Sequence, residues 1–448
     1  MQKSLKIAVV GSGLVGTLLA IYLKKSGHTV HVFDRSPDIR KIQFSGRSIN
    51  LVMSDRGWKA LRDIGLDEEI KKIGIPVDKR AIHTGEKLNY QYYGKDGEAI
   101  FSLSRGLLNR KMIDLAEEAG VEFFFDHKVW DVSLSEASLH IGETERGEWT
   151  ELKYDKVFGA DGAFSRVRHR MQRQSMFNYS QEFLKIGYKE LHIPANADGT
   201  HKLDKNSLHI WPRGEFMLMA LANPEGSFTC TLFMPHEGKN SFEDLKDKET
   251  LVDFFANHFP DTKEVIPNLV EDFFKNPTSY LVTMKCFPWT FGDKVALIGD
   301  ACHAIVPFYG HGMNAGFEDI TVLSEIMAKH GDDWETIFKE YETSRKPNTD
   351  AIAELSYRNF MEMSSKTADE KFLLQKKIEK HFSEKHPDKW MPLYSRVTFS
   401  SHPYSEALAM GDFQDGIMKQ VLEMENIEAI WDSKEVEERI ISLLNSKI

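Results

Sequence analysis

Residues 6–34 constrain the fold of this chain most strongly. The short apolar, β-branched run at 6–10 is typical of a buried parallel strand and leads directly into the motif G-S-G-L-V-G at 11–16. Apolar residues then recur at helical spacing up to Gly27, and a second strand is predicted at 29–33, ending at Asp34. This pattern predicts a complete βαβ unit of the kind found in α/β folds.

The glycine spacing predicts a dinucleotide site in this unit. Gly11 permits the tight turn, Gly13 lets the backbone approach a pyrophosphate, and Gly16 lets helix and strand pack closely. The helix amino terminus then binds the anion, and Asp34 stands where an acid accepts hydrogen bonds from an adenosine ribose. An acid there repels a 2′-phosphate, so FAD or NAD fits better than NADP, and the motif does not choose between those two. The predicted contacts in this segment are Gly11, Gly13, Leu14, Val15, Gly16, Asp34 and Arg35.

Two other interpretations of the same segment are a plain glycine turn and a secretory signal. Lys3 and Lys6 do flank the start of an uncharged stretch, as in a signal peptide. The spacing of the glycines and the strand that follows disfavour export. No run of about 18 apolar residues occurs elsewhere, so we expect no integral membrane span and a cytoplasmic location.

Composition excludes further classes of protein. The chain has 448 residues, of which 41% are hydrophobic, enough for the cores of about two to four domains. Its formal net charge of -11 argues against a nucleic-acid partner. The three cysteines lack the spacing of a disulfide framework or a zinc site, which indicates a reducing compartment and no metal.

Two further glycine-acid motifs lie far along the chain. The motif G-A-D-G at 159–162 is followed by a serine and three arginines, and G-D-A at 299–301 follows an apolar strand. A glycine-rich loop at 307–316 leads into a helix predicted over about 313–329, whose amino terminus could face an electron-rich ligand. Taken singly, each glycine-acid pair is most often a plain turn.

Together and in this order, the three motifs resemble those of the single-component FAD-dependent aromatic hydroxylases of the p-hydroxybenzoate hydroxylase type. The resemblance implies tightly bound FAD, NADPH and O2 as co-substrates, and oxygen transfer through a flavin C4a-hydroperoxide. No second G-x-G-x-x-G occurs, so NADPH is expected to dock transiently over the same FAD. The further cofactor contacts that the resemblance implies are Arg47, Arg105, Val129, Asp161, Asp300, Gly312, Met313 and Asn314.

Additional blocks resemble the branch of this family that hydroxylates L-kynurenine, in its soluble bacterial type. They include R-A-I-H at 80–83, L-H-I-W-P at 208–212, N-F-M-E-M at 359–363 and V-T-F-S at 397–400, and they extend from residue 7 to about 407. His311 stands where that branch is expected to have glutamine, and no hydrophobic carboxyl-terminal anchor occurs. The resemblance implies conversion of L-kynurenine to 3-hydroxy-L-kynurenine, in tryptophan catabolism toward quinolinate and NAD.

The resemblance also selects substrate contacts that suit the chemistry of L-kynurenine. Its carboxylate pairs best with a guanidinium, its ammonium with an acid, and its aromatic ring with apolar walls. No catalytic acid or base is assigned, since the amino group already activates the ring. A surface arginine, half-buried tyrosines and a solvated helix face are the ordinary alternatives. The predicted contacts are Arg80 for the carboxylate, with Tyr93, Asn359 and Tyr404, then Glu362 for the ammonium, and Phe233 and Phe308 for the ring.

The implied architecture is an α/β fold of interleaved parts. A Rossmann-like FAD-binding domain (1–75, 102–175 and 275–345) alternates with a sheet-rich substrate domain (76–101 and 176–274), in which strands are predicted at 206–222 and 227–235. A helical region follows at 346–448, and within it the charge pattern predicts a largely solvated helix over 366–389. An FAD hydroxylase of another aromatic compound, a non-oxygenating FAD-binding protein and an NAD-binding scaffold are the alternatives. The sequence carries no signal for the oligomeric state or for a preference between NADPH and NADH.

Overall fold

The computed structural model describes residues 3–42, 50–85, 87–94, 97–142, 144, 147–363 and 370–446. Within these ranges the strands, in chain order, are β1 (Lys6–Val10), β2 (Thr29–Phe33), β3 (Leu51–Met53), β4 (Ile75–Val77), β5 (Lys79–Thr84), β6 (Lys87–Tyr92), β7 (Ile100–Leu103), β8 (Glu122–Phe124), β9 (Val129–Ser133), β10 (Ser138–Ile141), β11 (Thr150–Lys153), β12 (Lys156–Gly159), β13 (Asn178–Ile193), β14 (Ser207–Arg213), β15 (Phe216–Ala222), β16 (Phe228–Pro235), β17 (Ser279–Phe287), β18 (Thr290–Phe291) and β19 (Val295–Leu297).

The α-helices in the same ranges are α1 (Leu14–Lys25), α2 (Asp55–Arg62), α3 (Asp67–Lys71), α4 (Arg105–Glu118), α5 (Arg166–Met171), α6 (Lys248–His258), α7 (Leu269–Lys275), α8 (Asp300–His303), α9 (Gly312–His330), α10 (Trp334–Met361), α11 (Glu370–Lys385), α12 (Leu393–Thr398), α13 (Tyr404–Val421), α14 (Ile427–Ile430) and α15 (Lys434–Asn445). None of the helices in the described part of the chain is both long enough and apolar enough to cross a bilayer.

The first sheet explains why three motifs that are distant in sequence come together. Its strand order is β18-β19-β12-β1-β2-β8, and β1 pairs in parallel with both β2 and β12. The register places Val10 beside Gly159, and Gly159 beside Leu297 on β19. Because parallel strands end at the same edge, the chain leaves all three strands on one side of the sheet. The predicted βαβ unit is therefore confirmed, and the two later motifs adjoin it.

The second sheet provides the opposite wall of the molecule. Its order is β17-β13-β16-β15-β14-β5-β6, antiparallel throughout except where β5 pairs with β14. Alternate residues of β14 point to opposite faces. Ile210 packs in the cluster that contains Phe233 and Phe308, whereas Trp211 packs against α6 in a separate core with Phe254. The sequence predicted strands at 206–222 and 227–235; the first is in fact a hairpin, because Gly214 turns the chain with φ +73°.

The carboxyl-terminal part is helical, as predicted, and has a small core of its own. Ile378 and Phe382 of α11 pack with Trp390 and with Ile417 of α13. The sequence predicted a largely solvated helix over 366–389, and the described helix α11 does bury one face there. Two small sheets, β3-β7-β4 and β11-β10-β9, complete the described strands. The residue boundaries between the predicted domains stay a prediction.

Candidate active site

The turn between β1 and α1 contains glycines with two different packing environments. Gly11 has φ +109°, and a side chain there would meet the carbonyl oxygen of Ala160 at 2.5 Å. A side chain on Gly16 would overlap the carbonyl oxygen of Gly11. Gly13, in contrast, has nothing within 4 Å of an added Cβ and lines a large cavity. Two of these glycines thus serve close packing, and the third leaves space for a ligand beside the backbone.

The carboxylate of Asp34 is held at the end of β2 beside this turn. It accepts hydrogen bonds from the Ser12 amide at 2.7 Å and the Ser12 hydroxyl at 2.8 Å, and its other oxygen accepts from the Ser36 amide at 2.8 Å. These bonds fix the acid where the sequence predicts a ribose contact. The neighbouring predicted contact, Arg35, is exposed.

The two later glycine-acid motifs reach the same region. Asp300 follows Gly299, which has φ +63°, and lines the cavity at the end of β19. Asp161 accepts a hydrogen bond from the Arg166 amide at 2.6 Å through one carboxylate oxygen. Its other oxygen is buried without a hydrogen-bond partner among the described residues. Burial raises the pKa of Asp161, so a donor brought by a ligand would relieve an unfavourable site.

The glycine-rich loop enters α9 beside the cavity. Gly310 is left-handed, with φ +73°, and His311 caps the helix. Gly312 and Met313 line the cavity with the first turn of α9, whose amide groups have no helical partners. Asn314 is fully buried, donates hydrogen bonds to the carbonyls of Val52 and Gly310, and accepts one from the Ser54 amide. Its side chain therefore holds the loop in place.

One cavity of about 410 Å³ joins this glycine-rich wall to the second sheet. Its volume is typical of a small-molecule site. Its glycine end is lined by glycines and small apolar residues, among them Gly13, Ala160, Gly162 and Gly312, and Arg105 also lines the cavity. At the other end it is lined by Arg80, Tyr93, Phe233, Phe308, Tyr309 and Tyr394.

Two polar groups at this second end have no hydrogen-bond partner among the described residues. Among the described residues none accepts a hydrogen bond from Arg80 Nε, and the buried Tyr93 hydroxyl has no partner either. The Arg80 guanidinium carbon lies 5.3 Å from the centroid of the Tyr93 ring and 4.9 Å from that of Tyr394. Burial alone would lower the pKa of Arg80, but the two tyrosines and Glu362 outweigh it, so the pKa is raised and the cation persists. Unpaired donors around a buried cation suit an anionic ligand group.

Tyr394 is a residue that the sequence reasoning missed. It lies on α12, stacks on Tyr93 with ring centroids 5.0 Å apart, and stacks on Tyr309 at 5.5 Å. The block at 397–400 lies three residues further along the chain, and the prediction selected Tyr404 beyond it. Tyr394 is selected by the packing of α12 that brings its ring to Arg80. A single sequence does not show which tyrosine such packing brings there.

The predicted aromatic walls lie together on the cavity. The rings of Phe233 and Phe308 have centroids 5.2 Å apart, and Phe360 stacks behind Phe308 at 4.4 Å. Both of the predicted phenylalanines are buried and line the cavity. They form an apolar slot next to the cationic end.

Several predicted contacts lie away from the cavity lining. Asn359 donates a hydrogen bond to the Phe308 carbonyl at 2.7 Å, behind the aromatic wall. Tyr404 is fully buried and its hydroxyl pairs with His311. Val129 is buried on β9 in the core of the first sheet. Glu362 acts on Arg80 through its charge, and Arg47 lies outside the described residues.

These observations fit FAD at the glycine end. Gly13 leaves room for a pyrophosphate, Asp34 is held at the end of β2 where a ribose contact is predicted, and one buried oxygen of Asp161 has no hydrogen-bond partner in the described part of the chain. The amino terminus of α9 adds a favourable dipole for electron-rich groups.

Comparison with known proteins identifies first the class and then the family. The chain matches the family model described as "FAD binding domain" over residues 4–356. Its fold is that of flavin-dependent oxygenases. The match to the structure of 2-methyl-3-hydroxypyridine-5-carboxylic acid oxygenase covers 83% of this chain and 96% of the oxygenase chain, with a TM-score of 0.68 at 20% sequence identity. The match to PqsL of Pseudomonas aeruginosa, whose structure was solved in complex with 2-aminobenzoylacetate, covers 81% of this chain and 97% of the PqsL chain. Its TM-score is 0.65 at 18% sequence identity. The fold and the family model thus define an FAD-binding protein with the fold of these oxygenases.

Sequence relatives narrow this class to one family. Kynurenine 3-monooxygenase of Flavobacterium johnsoniae is 76% identical over 444 residues, which cover 99% of this chain and 100% of the relative. The enzyme of the same name from Myxococcus xanthus is 46% identical over a stretch that covers 93% of this chain and 90% of the relative. The chain belongs to the kynurenine 3-monooxygenase family.

Proposed function

We propose that this protein is an FAD-dependent monooxygenase that converts L-kynurenine to 3-hydroxy-L-kynurenine with NADPH and O2. The observation that carries the proposal is a pair of buried donors, Arg80 Nε and the Tyr93 hydroxyl, that have no hydrogen-bond partner among the described residues. They lie at the end of an apolar slot in the cavity whose other end is rich in glycine. L-Kynurenine has matching parts in the same order: a carboxylate, an ammonium, a ketone linker and an aminophenyl ring. Family membership supports the same substrate.

FAD would be held at its pyrophosphate by Gly13, in the turn that Gly11 and Gly16 close by tight packing, at its ribose by Asp34 and near its ribityl chain by Asp300. When bound, FAD accepts a hydride from NADPH and delivers one oxygen atom of O2 to the aromatic ring.

At the polar end of the cavity, Arg80 binds the substrate carboxylate through its guanidinium, and the hydroxyls of Tyr93 and Tyr394 donate further hydrogen bonds. The stacked tyrosines fix the plane of this pocket, since their rings are only 14° from parallel. Glu362 supplies the negative charge that suits the substrate ammonium. Together these groups orient the amino-acid head and so set the position of the ring.

In the apolar slot, Phe233 and Phe308 hold the aminophenyl ring toward the glycine end of the cavity, where FAD would bind. Asp300 is the one carboxylate among the described residues that line the cavity, and it lies on the FAD side. The absence of an acid or base from this part of the slot suits a ring that its own amino group already activates. The work of the protein is therefore orientation and exclusion of water.

A cytoplasmic location is part of the same proposal. All three cysteines are free and buried, and burial raises the pKa of Cys286 to about 12. Thiols of this kind are typical of a reducing compartment.

The direct experiment is to purify the protein with FAD and measure NADPH oxidation with and without L-kynurenine. We expect L-kynurenine to accelerate NADPH oxidation and to be converted to 3-hydroxy-L-kynurenine. Kynuramine, which lacks the carboxylate, is the matched control and should bind far more weakly. A yellow protein whose NADPH oxidation ignores L-kynurenine would refute the proposed substrate and leave the FAD assignment intact.

A further inference from the structure

Tyr404, which the sequence assigns to the substrate, has a different set of contacts in the structure. Its side chain is fully buried outside the cavity lining, at the first residue of α13. Its hydroxyl lies 2.8 Å from Nδ1 of His311, the residue that caps α9. The other ring nitrogen of His311 lies 3.4 Å from the hydroxyl of Thr398 on α12. A buried hydrogen-bonded bridge therefore connects the glycine-rich loop to two helices of the carboxyl-terminal region.

The ring of Tyr404 is held rigidly in this position. The Arg56 guanidinium carbon lies 3.9 Å from the ring centroid, a close cation–π contact. The same guanidinium donates to the carbonyls of Val397 and His402 and pairs with Glu318. Arg56 belongs to α2 and Glu318 to α9, whose first turn lines the cavity, so the tyrosine is fixed to the helix that begins at the glycine end.

His311 acts in this bridge as a neutral residue. Burial, with a smaller contribution from Arg56, lowers the pKa of His311 to about 3. A neutral imidazole has one donor and one acceptor nitrogen, and the hydroxyls of Tyr404 and Thr398 can each satisfy either. The carbonyl of His311 accepts from the Ala315 amide at 2.8 Å, so the position of its ring is coupled to the first turn of α9.

We propose that Tyr404 and His311 form one positioning unit, which holds the loop at 307–312 against the carboxyl-terminal helices and thereby keeps water away from the FAD end of the cavity. Tyr394, and not Tyr404, is the tyrosine of this region that contacts substrate. The unit governs coupling, by which we mean the fraction of NADPH oxidation that leads to hydroxylation of the substrate. When the loop is loose, NADPH and O2 react with one proton to give NADP⁺ and H2O2, and no oxygen atom reaches the ring. The coupling part of this inference rests on the proposed function.

The test compares single hydroxyl deletions in the FAD-loaded full chain. For Tyr404→Phe we expect a severalfold larger fraction of NADPH appearing as H2O2, with KM for L-kynurenine within about twofold of wild type. Tyr394→Phe should do the opposite, raising KM about fivefold with little change in coupling. Hydrogen exchange of the amides at 308–316 should accelerate about tenfold in Tyr404→Phe and stay unchanged in Tyr394→Phe.

His311 provides the second arm. His311→Leu should reproduce Tyr404→Phe, and His311→Gln, which keeps a hydrogen-bonding group, should restore most of the coupling. The double variant of His311→Leu and Tyr404→Phe should be no worse than either single variant, because both remove the same bridge. Should Tyr404→Phe fail to fold, the two His311 variants decide the question alone.

The outcomes separate the two proposals. A raised KM with unchanged coupling in Tyr404→Phe would overturn the positioning role, as would additive effects in the double variant. If L-kynurenine is not hydroxylated at all, the proposed function fails, but hydrogen exchange of the amides at 308–316 still tests the bridge. Faster exchange in Tyr404→Phe and His311→Leu supports the bridge, and unchanged exchange refutes it.

Discussion

The two ends of the cavity are built in different ways. The FAD end is made mostly of main chain: three strand ends at one sheet edge, with Gly13 leaving open space and the first turn of α9 facing inward. The substrate end is made of side chains from separate elements, β5, the residue after β6, β16 and α12. A site of main chain tolerates many side chains but few changes at its glycines. A site of side chains depends on each one.

The largest effect should come from the FAD end. In Gly16→Ala the added methyl overlaps the Gly11 carbonyl, so we expect the apoprotein to lose about 3 kcal/mol of unfolding free energy or fail to fold. Gly13→Ala is the matched control: its methyl has open space, so the apoprotein should remain stable and lose affinity for FAD. Denaturant unfolding of apoprotein and FAD titration measure both effects. Normal FAD affinity in Gly13→Ala would show that the pyrophosphate binds elsewhere.

At the substrate end, Arg80→Met should have the next largest effect. It removes the cation and keeps an apolar stem, so we expect L-kynurenine affinity to fall roughly 100-fold, about 3 kcal/mol. The flavin spectrum and FAD affinity should not change, because Arg80 lies at the far end of the cavity. Unchanged apparent affinity would refute the carboxylate assignment.

Acidification probes a histidine at the FAD end. Burial lowers the pKa of His311 from 6.5 to about 3, so the native state keeps it neutral while the unfolded chain protonates below about pH 6.5. Its contribution to stability is complete above that pH and is lost as the pH falls, by about 2 kcal/mol at about pH 5. His209, on β14 of the second sheet, has its pKa lowered to about 4 by burial and acts in the same direction.

Unfolding of wild type and His311→Gln at about pH 7 and about pH 5 measures this effect. The variant should lose less unfolding free energy on acidification than the wild type. Equal losses would mean that the neutral imidazole is not the form required by the fold.

Tyr394→Phe should give the smallest effect. Removing one hydroxyl from a pocket that keeps Arg80 and Tyr93 is expected to weaken L-kynurenine binding by about 1 kcal/mol. Stopped-flow measurement of flavin reduction at several L-kynurenine concentrations reports the apparent dissociation constant. A loss as large as that in Arg80→Met would make Tyr394, and not Arg80, the principal anchor.

The same contrast explains how far the sequence could predict the structure. The βαβ unit and the convergence on Gly159 and Asp300 follow from glycine spacing, since main-chain geometry leaves a local signature. Arg80 and the two phenylalanine walls, which a resemblance selected, do line the cavity. Tyr394 was missed, and Tyr404 and Asn359 were expected on the cavity, because packing of distant helices decides which side chains reach it.

The most direct test of the account is a crystal structure of the FAD-loaded protein with L-kynurenine. We predict that the flavin lies against Gly13, Asp300 and the start of α9. The substrate carboxylate should lie within about 3 Å of the Arg80 guanidinium. The aminophenyl ring should lie against Phe233 and Phe308, facing the flavin. A carboxylate bound away from Arg80, or a ring outside this slot, would contradict the account of one cavity with an FAD end and a substrate end.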